Sequence, residues 1–569
     1  MTSPIPAGGE SPSTLIELIE VASSSRLSFI GETGSVEAGT ETWSAAETHE
    51  RSDFVAGQLL ACGLEPGQAV GLLLVDHRST VPAFLGSLRA GLIPTLIAPP
   101  HPGADLSEWT HQLKHLAAIG SFVSVITTNS IAALLPHDSL GTPTLTLEFV
   151  AEHESVSDRP GIVPGADAFR QRTSGTTGLP KLIRVTHAAA VANIKAIINH
   201  GVRAGSNDRS VSWLPFYHDM GLVGQLLAPL ASGTPTWYLP TTSFARRPAS
   251  WGSLMSQVAA TVSFAPNFAY EALVRRTKPV KVAGWDLSSW KVAGCGAEPI
   301  QPATLEQVAT QLAPAGFRPE AFLPCYGLAE TVLAASFGRL DAVPTIIEAD
   351  IDAFEGGGMI RSAQPGAGAR RFVSCGLPLA DHEIHITDPN SGQELEDGLV
   401  GEITLSGPSI TAGYLGDPDE NAARFTEAGL RTGDLGALVD GELVVTGRSK
   451  DLIIVAGRNI CPYQIEQTIT DACRLPFGRA VVVARSNNLG TEEAVLVTDL
   501  PKTNLDDMLD ASRDAVTGAH GISIAEALRW PAGRFPRTTS GKTRRVVVEQ
   551  WAAHQDASTA TAQINSDEP

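Results

Sequence analysis

From residue 69 to residue 127 the chain switches repeatedly between two textures, and this limits the fold more than any other feature. Residues 69–75 form an unbroken apolar run, 80–90 repeat at helical spacing, and 92–98 are apolar again before Pro99-Pro100. Residues 106–118 then read as a helix and 121–127 as a further apolar run. Apolar runs without alternation belong to strands covered on both faces, and strands separated by helices pair in parallel. The same texture recurs through 182–335, so an α/β architecture with parallel sheets is expected. At 569 residues the chain is too long for one core. Upstream, Leu15, Leu18 and Val21 mark one helix. Val55, Leu59 and Cys62 mark another over 53–62, which Gly63 stops.

The texture changes near residue 338. Residues 338–371 are rich in Gly and Ala, include Gly356-Gly357-Gly358 and keep no period, as in an inserted excursion. Residues 383–387 and 401–406 alternate as strands of a β-rich subdomain. Ser449-Lys450-Asp451 lies between two strand-like runs and marks a boundary, the hinge falling at 448–451. Residues 452–551 read as a small α+β unit, with strands at 480–484 and 494–497 and a helix at 505–516. Residues 1–11 are expected to be flexible and 552–569, polar and small, to be a disordered tail.

Charge and composition exclude several functions. A net charge of −20 argues against a nucleic-acid binder, and requires that any anionic ligand be met by local basic groups. No apolar run reaches membrane-spanning length, so an integral membrane protein is not expected. The first residues lack the charge and apolar core of a signal peptide, which points to the cytoplasm. The six cysteines are scattered without a C-x-x-C pair, so buried reduced thiols are expected rather than zinc ligands or disulfides.

Seven short motifs carry chemistry. Thr173-Ser174-Gly175-Thr176-Thr177-Gly178-Leu179-Pro180-Lys181 packs hydroxyls, flexible backbone and one ammonium into a loop able to surround a polyphosphate. It is not a Walker A loop, because Gly178 is not followed by Lys and Ser/Thr. Alone, it reads as well as a surface turn. Trp213-Leu214-Pro215-Phe216-Tyr217-His218-Asp219-Met220-Gly221-Leu222 reads as a pocket wall or as a helix start capped by Asp219. Phe264, Asn267 and Phe268, in Phe264-Ala265-Pro266-Asn267-Phe268-Ala269-Tyr270, suit an apolar channel or a core. Gly294-Cys295-Gly296-Ala297-Glu298-Pro299 follows a strand, where open sheets place ligands. Tyr326-Gly327-Leu328-Ala329-Glu330 offers a ring, a tight turn and a carboxylate that is either a magnesium ligand or a first-turn helix acid.

Arg431-Thr432-Gly433-Asp434 places a carboxylate in a turn, as a ribose acceptor or an Asx turn. Arg448 follows, suited to an anionic oxygen. Arg537-Thr538-Thr539-Ser540-Gly541-Lys542 closes the series, and a lysine there is usually a solvated charge.

In this order the motifs resemble the adenylate-forming superfamily of acyl-CoA synthetases, luciferases and nonribosomal-peptide adenylation domains, over about 12–550. The chain is most similar to its fatty acyl-AMP ligases. The grounds are the aromatic phrases 213–222 and 264–270, Gly296-Ala297-Glu298-Pro299, the run 316–320 before Tyr326, and the insertion before residue 373.

The resemblance implies an N-terminal adenylation domain over 12–447 with two α/β subdomains, a β-rich subdomain and the 338–371 insertion. It implies a mobile α+β lid over 452–551 that turns about Lys450. The implied reaction joins a fatty acid to ATP, with Mg2+, giving acyl-adenylate and pyrophosphate. Transfer to the phosphopantetheine of an acyl carrier protein follows. The implied roles are phosphate binding for Thr173 to Gly178 and Lys181, and metal binding for Glu330. Adenine falls to Tyr326, Gly296 and Ala297, with Gly327 and Glu298 also at the nucleotide, ribose to Asp434, and ribose and phosphate to Arg448. His218 and Lys542 fall beside the reacting carboxylate, and Trp213, Phe216, Phe264, Asn267 and Phe268 line the acyl pocket.

Three positions depart from the family pattern: Leu182 stands where the phosphate loop often ends in Gly, Ala329 where Thr is common, and Cys295 where Asn is common. An acyl-CoA synthetase of the same fold is the alternative. An amino-acid adenylating domain would need an Asp early in the acid pocket, and no clear candidate is present apart from Asp219. A silent scaffold is disfavoured by the presence of Glu330 and Lys542.

Overall fold

The computed structural model describes residues 12–555 except 23, 37–38, 101–105, 134, 136–140, 148–159, 174–178, 351–352, 355–357, 362–368, 456–457, 461, 477, 487–491, 532 and 537–542. The apolar runs form the expected parallel sheet. Its six strands lie in the order Thr144–Thr146, Phe122–Thr127, Ala69–Leu73, Ile93–Leu96, Asp167–Thr173 and Lys181–Thr186. All neighbours are parallel except the last pair, which is antiparallel. Ala69–Leu73 is buried at every position, as a strand covered on both faces must be.

A nine-stranded sheet builds the second α/β layer. From Phe322–Gly327 through Val292–Gly296, Val262–Pro266, Ser210–Ser212 and Thr236–Tyr238 to Arg26–Ile30, neighbours are parallel. Antiparallel strands close both edges. A five-stranded antiparallel sheet follows, including Glu383–Thr387, Gly401–Ser406, Gly429–Val439 and Glu442–Arg448. The C-terminal unit has a three-stranded sheet, Ala480–Ser486, Glu492–Thr498 and Ile524–Arg529, with helices on both faces. Alternation explains this: Val482 and Leu496 pack with Ile465 and Met508, while Val481, Val483 and Val495 pack with Val548.

The structure differs from the sequence reading at several points. The helix expected over 53–62 starts earlier and spans Ala45–Ala61, because Ser44 and Glu47 form a capping box ahead of its apolar stripe. The first helix stops at Glu20, and Val21 is 41% exposed rather than on the buried face. The excursion 338–371 contains a strand, Ile346–Asp350, that pairs antiparallel with Ala369–Val373. Ile347, Ala349 and Phe372 pack on Ala437 and Val444 of the β-rich sheet. The hairpin's halves are too far apart in sequence to read as one period. Ala552 and Ala553, expected to open the tail, instead close the helix Arg545–Ala553, and Ala552 is fully buried; residues 556–569 lie outside the described residues. Cys295 and Cys375 are buried as expected, but Cys62 is exposed at a helix end. Among the described residues no helix is long and apolar enough to cross a membrane.

Candidate active site

A cleft of about 1350 Å³ is lined both by residues of the large N-terminal part and by residues between 450 and 550. It lies at the carboxyl ends of Val292–Gly296 and Phe322–Gly327, where open parallel sheets receive ligands. A Cβ at Gly296 would meet Cys325 Sγ at 2.6 Å, so glycine lets the two strand ends close up. Ala297, next along, has φ 65°, a left-handed conformation rare for a residue with a Cβ.

The turn after Tyr326 is equally constrained. A Cβ on Gly327 would sit 1.9 Å from the Leu333 carbonyl. Val332 has φ 69° and ψ −57°, and Leu333 N–H donates to the Thr331 carbonyl at 2.8 Å, which closes a strained γ-turn. Such backbone costs about 1–3 kcal/mol and persists only when its neighbours hold it. Here Gln171 Nε2 donates to the Val332 carbonyl, and Asn193 bonds both the N–H and the carbonyl of Ala334.

This turn presents Glu330, which is buried yet lines the cleft. Tyr414 Oη donates to Glu330 Oε1 at 2.5 Å, and Arg424 Nη1 approaches the same oxygen at 3.8 Å. Burial, and then the Glu330 charge, push the Tyr414 phenol upward, so it remains a donor. Tyr414 and Arg424 were missed in the sequence. Their only signal was the run Gly413-Tyr414-Leu415 to Arg424-Phe425 between two strands, which looks like a connector.

Asp434 lies on the strand Gly429–Val439 and not in the expected turn. Its register partner is Arg448, whose Nε donates to Oδ1 at 2.7 Å, and Tyr326 Oη donates to Oδ2 at 2.7 Å. The Asp434 charge pushes the Arg448 guanidinium further upward. Burial, with Asp434 second, does the same to the Tyr326 phenol, so both stay protonated donors.

Lys181 Nζ pairs with Asp417 Oδ2 at 2.8 Å and Glu420 Oε2 at 3.4 Å, and lies 5.2 Å above the Tyr414 ring. These carboxylates were also missed. Thr173 and Lys181 are register partners at the two ends of the glycine-rich loop and both line the cleft. Ser174, Gly175, Thr176, Thr177 and Gly178 lie outside the described residues, as does Lys542. Thr543 and Arg544, the residues after Lys542, line the cleft.

His218 lines the cleft with Nδ1 2.6 Å from Asp219 Oδ1. Asp219 also accepts from Met220 N–H at the start of a π-helical stretch, Met220–Leu227, so the capping reading holds beside the pocket-wall one. A Cβ at Gly221 would strike the Pro215 carbonyl at 2.2 Å. Lys450 lines the cleft within the short turn Ser449–Asp451.

Of the five expected acyl-pocket residues, only Phe264 lines the cleft. Trp213 is buried and stacks on Phe244 at 3.7 Å with 8° between the rings. Phe216 packs on His77 and Tyr238, and Phe268 meets Trp213 edge-on. Asn267 is fully buried, bonding Thr304 and the Gln301 N–H. These rings pack on one another as a core does. Glu298 lines the cleft, but its Oε1 accepts from Phe268 N–H at 2.6 Å and so ties two loops together.

A large N-terminal part with two α/β sheets, a β-rich sheet and a small α+β unit about one nucleotide-sized cleft is the architecture of the adenylating enzymes. The AMP-binding enzyme profile matches residues 27–415, and the chain belongs to that family. It is 33% identical over 508 residues to a Caulobacter vibrioides protein provisionally named an acyl-CoA synthetase, covering 88% of each chain. It is 32% identical to the medium-chain-fatty-acid acyl-carrier-protein ligase JamA of Moorena producens, covering 95% of this chain and 97% of that one. A solved structure from work on fatty acyl-adenylate ligases of E. coli and L. pneumophila superposes with a TM-score of 0.87 at 34% identity, covering 97% and 99% of the two chains.

Proposed function

We propose that this chain is a fatty acyl-AMP ligase. It joins a fatty acid carboxylate to the α-phosphate of ATP, releases pyrophosphate, and passes the acyl group to the phosphopantetheine thiol of a carrier protein. The observation that carries the reading is the convergence of Tyr326, Asp434 and Arg448 with Glu330 and Lys181 on one cleft. These supply, in turn, a ring, a hydroxyl acceptor, an anion partner, a hard carboxylate and an ammonium for one nucleotide. The names of the JamA and adenylate-ligase relatives support the choice of acid and acceptor.

The chemistry then follows from charge. The acid is ionised at neutral pH, so no general base is needed. Its carboxylate must approach a phosphate that is also anionic, and holding both reactants in place is worth roughly 7–11 kcal/mol. Asp434 accepts the ribose hydroxyls on the lone pairs that Arg448 and Tyr326 leave free. Lys181 exchanges Asp417 and Glu420 for phosphate oxygens. His218 borders the entering carboxylate, and Lys542 comes from the C-terminal unit, turning about Lys450, to the α-phosphate.

Glu330 fits Mg2+ beside a triphosphate, because that ion takes one or two carboxylates and fills its shell with phosphate and water. Among the described residues no cluster of three or more His, Cys, Asp or Glu competes for this role. When bound, the ion offsets charge on the phosphoryl oxygens.

The test is mass spectrometry of products from enzyme, ATP, Mg2+ and a panel of lipid acids, with a phosphopantetheinylated carrier or with coenzyme A. Acyl-adenylate and acyl-carrier are expected, with little coenzyme A thioester. Efficient thioester formation would favour the acyl-CoA synthetase reading, and no adenylate from any acid would sink both.

A further inference from the structure

We infer that Tyr414 is the positioning residue that sets how Glu330 responds to a divalent cation, and so links the phosphate-loop strand to the metal carboxylate. The inference rests on the reading of Glu330 as that carboxylate.

Three observations carry it. First, the backbone about Tyr414 is stitched to the strand that Lys181 opens. Arg184 N–H donates to the Gly413 carbonyl, Ala412 N–H to the Arg184 carbonyl, and Leu415 N–H to the Leu182 carbonyl, at 2.8–3.0 Å. Ile183 and Tyr414 form the central bridge. Second, Tyr414 cannot drift along that strand. Asn421 accepts from its N–H and donates to its carbonyl, both at 2.7 Å. Gly413 makes this closeness possible, since a Cβ there would lie 2.7 Å from Asn421 Oδ1.

Third, the same segment grips Glu330 at two points. Thr411 N–H donates to the Glu330 carbonyl at 3.0 Å, and the Tyr414 hydroxyl donates to Oε1. Arg424 also approaches Oε1, which leaves Oε2 for a ligand in the cleft. A carboxylate whose outer partner fixes one oxygen is oriented before the cation arrives. The Arg424 charge acts in the opposite sense, because it competes with a cation for the same carboxylate.

The substitution Tyr414→Phe isolates the hydroxyl. The ring keeps its edge-on contact with Phe425 and its place under Lys181. The readout is binding of a non-hydrolysable ATP analogue to the full-length protein, titrated with Mg2+ and followed by calorimetry, so no turnover is needed. In the native protein Mg2+ should tighten analogue binding. In Tyr414→Phe the metal-free affinity should stay within about twofold while the Mg2+ needed for half the enhancement rises about 10-fold, as for the loss of an outer-shell partner. Arg424→Gln should move that concentration the other way. Adding Tyr414→Phe to Glu330→Gln should change nothing further.

An unchanged Mg2+ titration in Tyr414→Phe would overturn the inference. So would an equal loss of metal-free and metal-bound affinity, the mark of a merely structural role. If Tyr414→Phe fails to fold, Asn421→Ala, which releases the Tyr414 backbone, takes its place: the Mg2+ requirement should rise in the same way, and an unchanged titration would overturn the inference. Absence of any Mg2+ effect in the native protein would instead overturn the reading of Glu330 itself.

Discussion

Asp434 shares its two oxygens between a guanidinium and a phenol, and this pairing makes it a strong acceptor held in one orientation. Asp434→Asn removes the charge that both donors face. The expected result is an AMP affinity lower by about 10- to 100-fold, matching the 1.5–3 kcal/mol of charge-assisted hydrogen bonds, and calorimetry would measure it. Lys542→Ala is a separate expectation: ATP binding persists while acid-dependent pyrophosphate release is abolished. Unchanged release would remove Lys542 from the mechanism. At this scale Lys181, Glu330 and Asp434 could be named in advance, because each stands in a motif and the motifs follow one another in a recognisable order. Tyr414 and Arg424 could not, since each acts through Glu330 from far along the chain. Trp213 and Phe216 are buried away from the cleft lining, and the sequence left both of their readings open. An aromatic side chain suits a core and a lipid channel equally, and only packing distinguishes them.

The helix Leu15–Glu20 hangs on a group that titrates. Leu15 N–H donates to Nδ1 of His187, the first residue of the helix His187–Ala196, so this imidazole must stay neutral. Burial pushes its pKa down to about 4. The unfolded chain takes up that proton near pH 6.5 and the folded one only near 4, so stability is full above 6.5 and declines as pH falls between these values. By pH 5 about 2 kcal/mol should be gone. Urea unfolding at pH 7.5 and pH 5 measures this, and His187→Asn should flatten the difference. Elements with one strong period were readable from sequence to within a few residues, as with His77–Arg89 and Phe122–Thr127. Arg26–Ile30 and Thr40–Ser44 were not, because they complete a sheet whose other strands lie about 200 residues away.

Over the whole molecule, adjacent arginines divide two tasks. Arg544 pairs with Glu108 across the cleft at 3.1 Å, with side chains 28% and 53% exposed. Arg545 pairs with Glu466 inside the C-terminal unit at 2.6 Å, with side chains only 12% and 13% exposed. Exposed pairs contribute at most about 1 kcal/mol, whereas breaking a buried one costs about 3–5 kcal/mol. Glu108→Ala should therefore move Tm by no more than about 2 °C. Glu466→Ala should melt the C-terminal unit ahead of the rest, reported by Trp530 and Trp551, which pack together there. Neither pair was readable beforehand, because ion pairing across 79 or 436 residues leaves no local pattern.

Arg448 is the last residue of its strand, and the turn Ser449–Asp451 begins immediately after it. Under the proposed reaction, the grip on the sugar-side carboxylate and the pivot of the C-terminal unit would share a single bearing. A swing of that unit would twist the shaft that carries Arg448, and a seated nucleotide would load the shaft from the other side. Each turn of the crank would then be felt by the cargo.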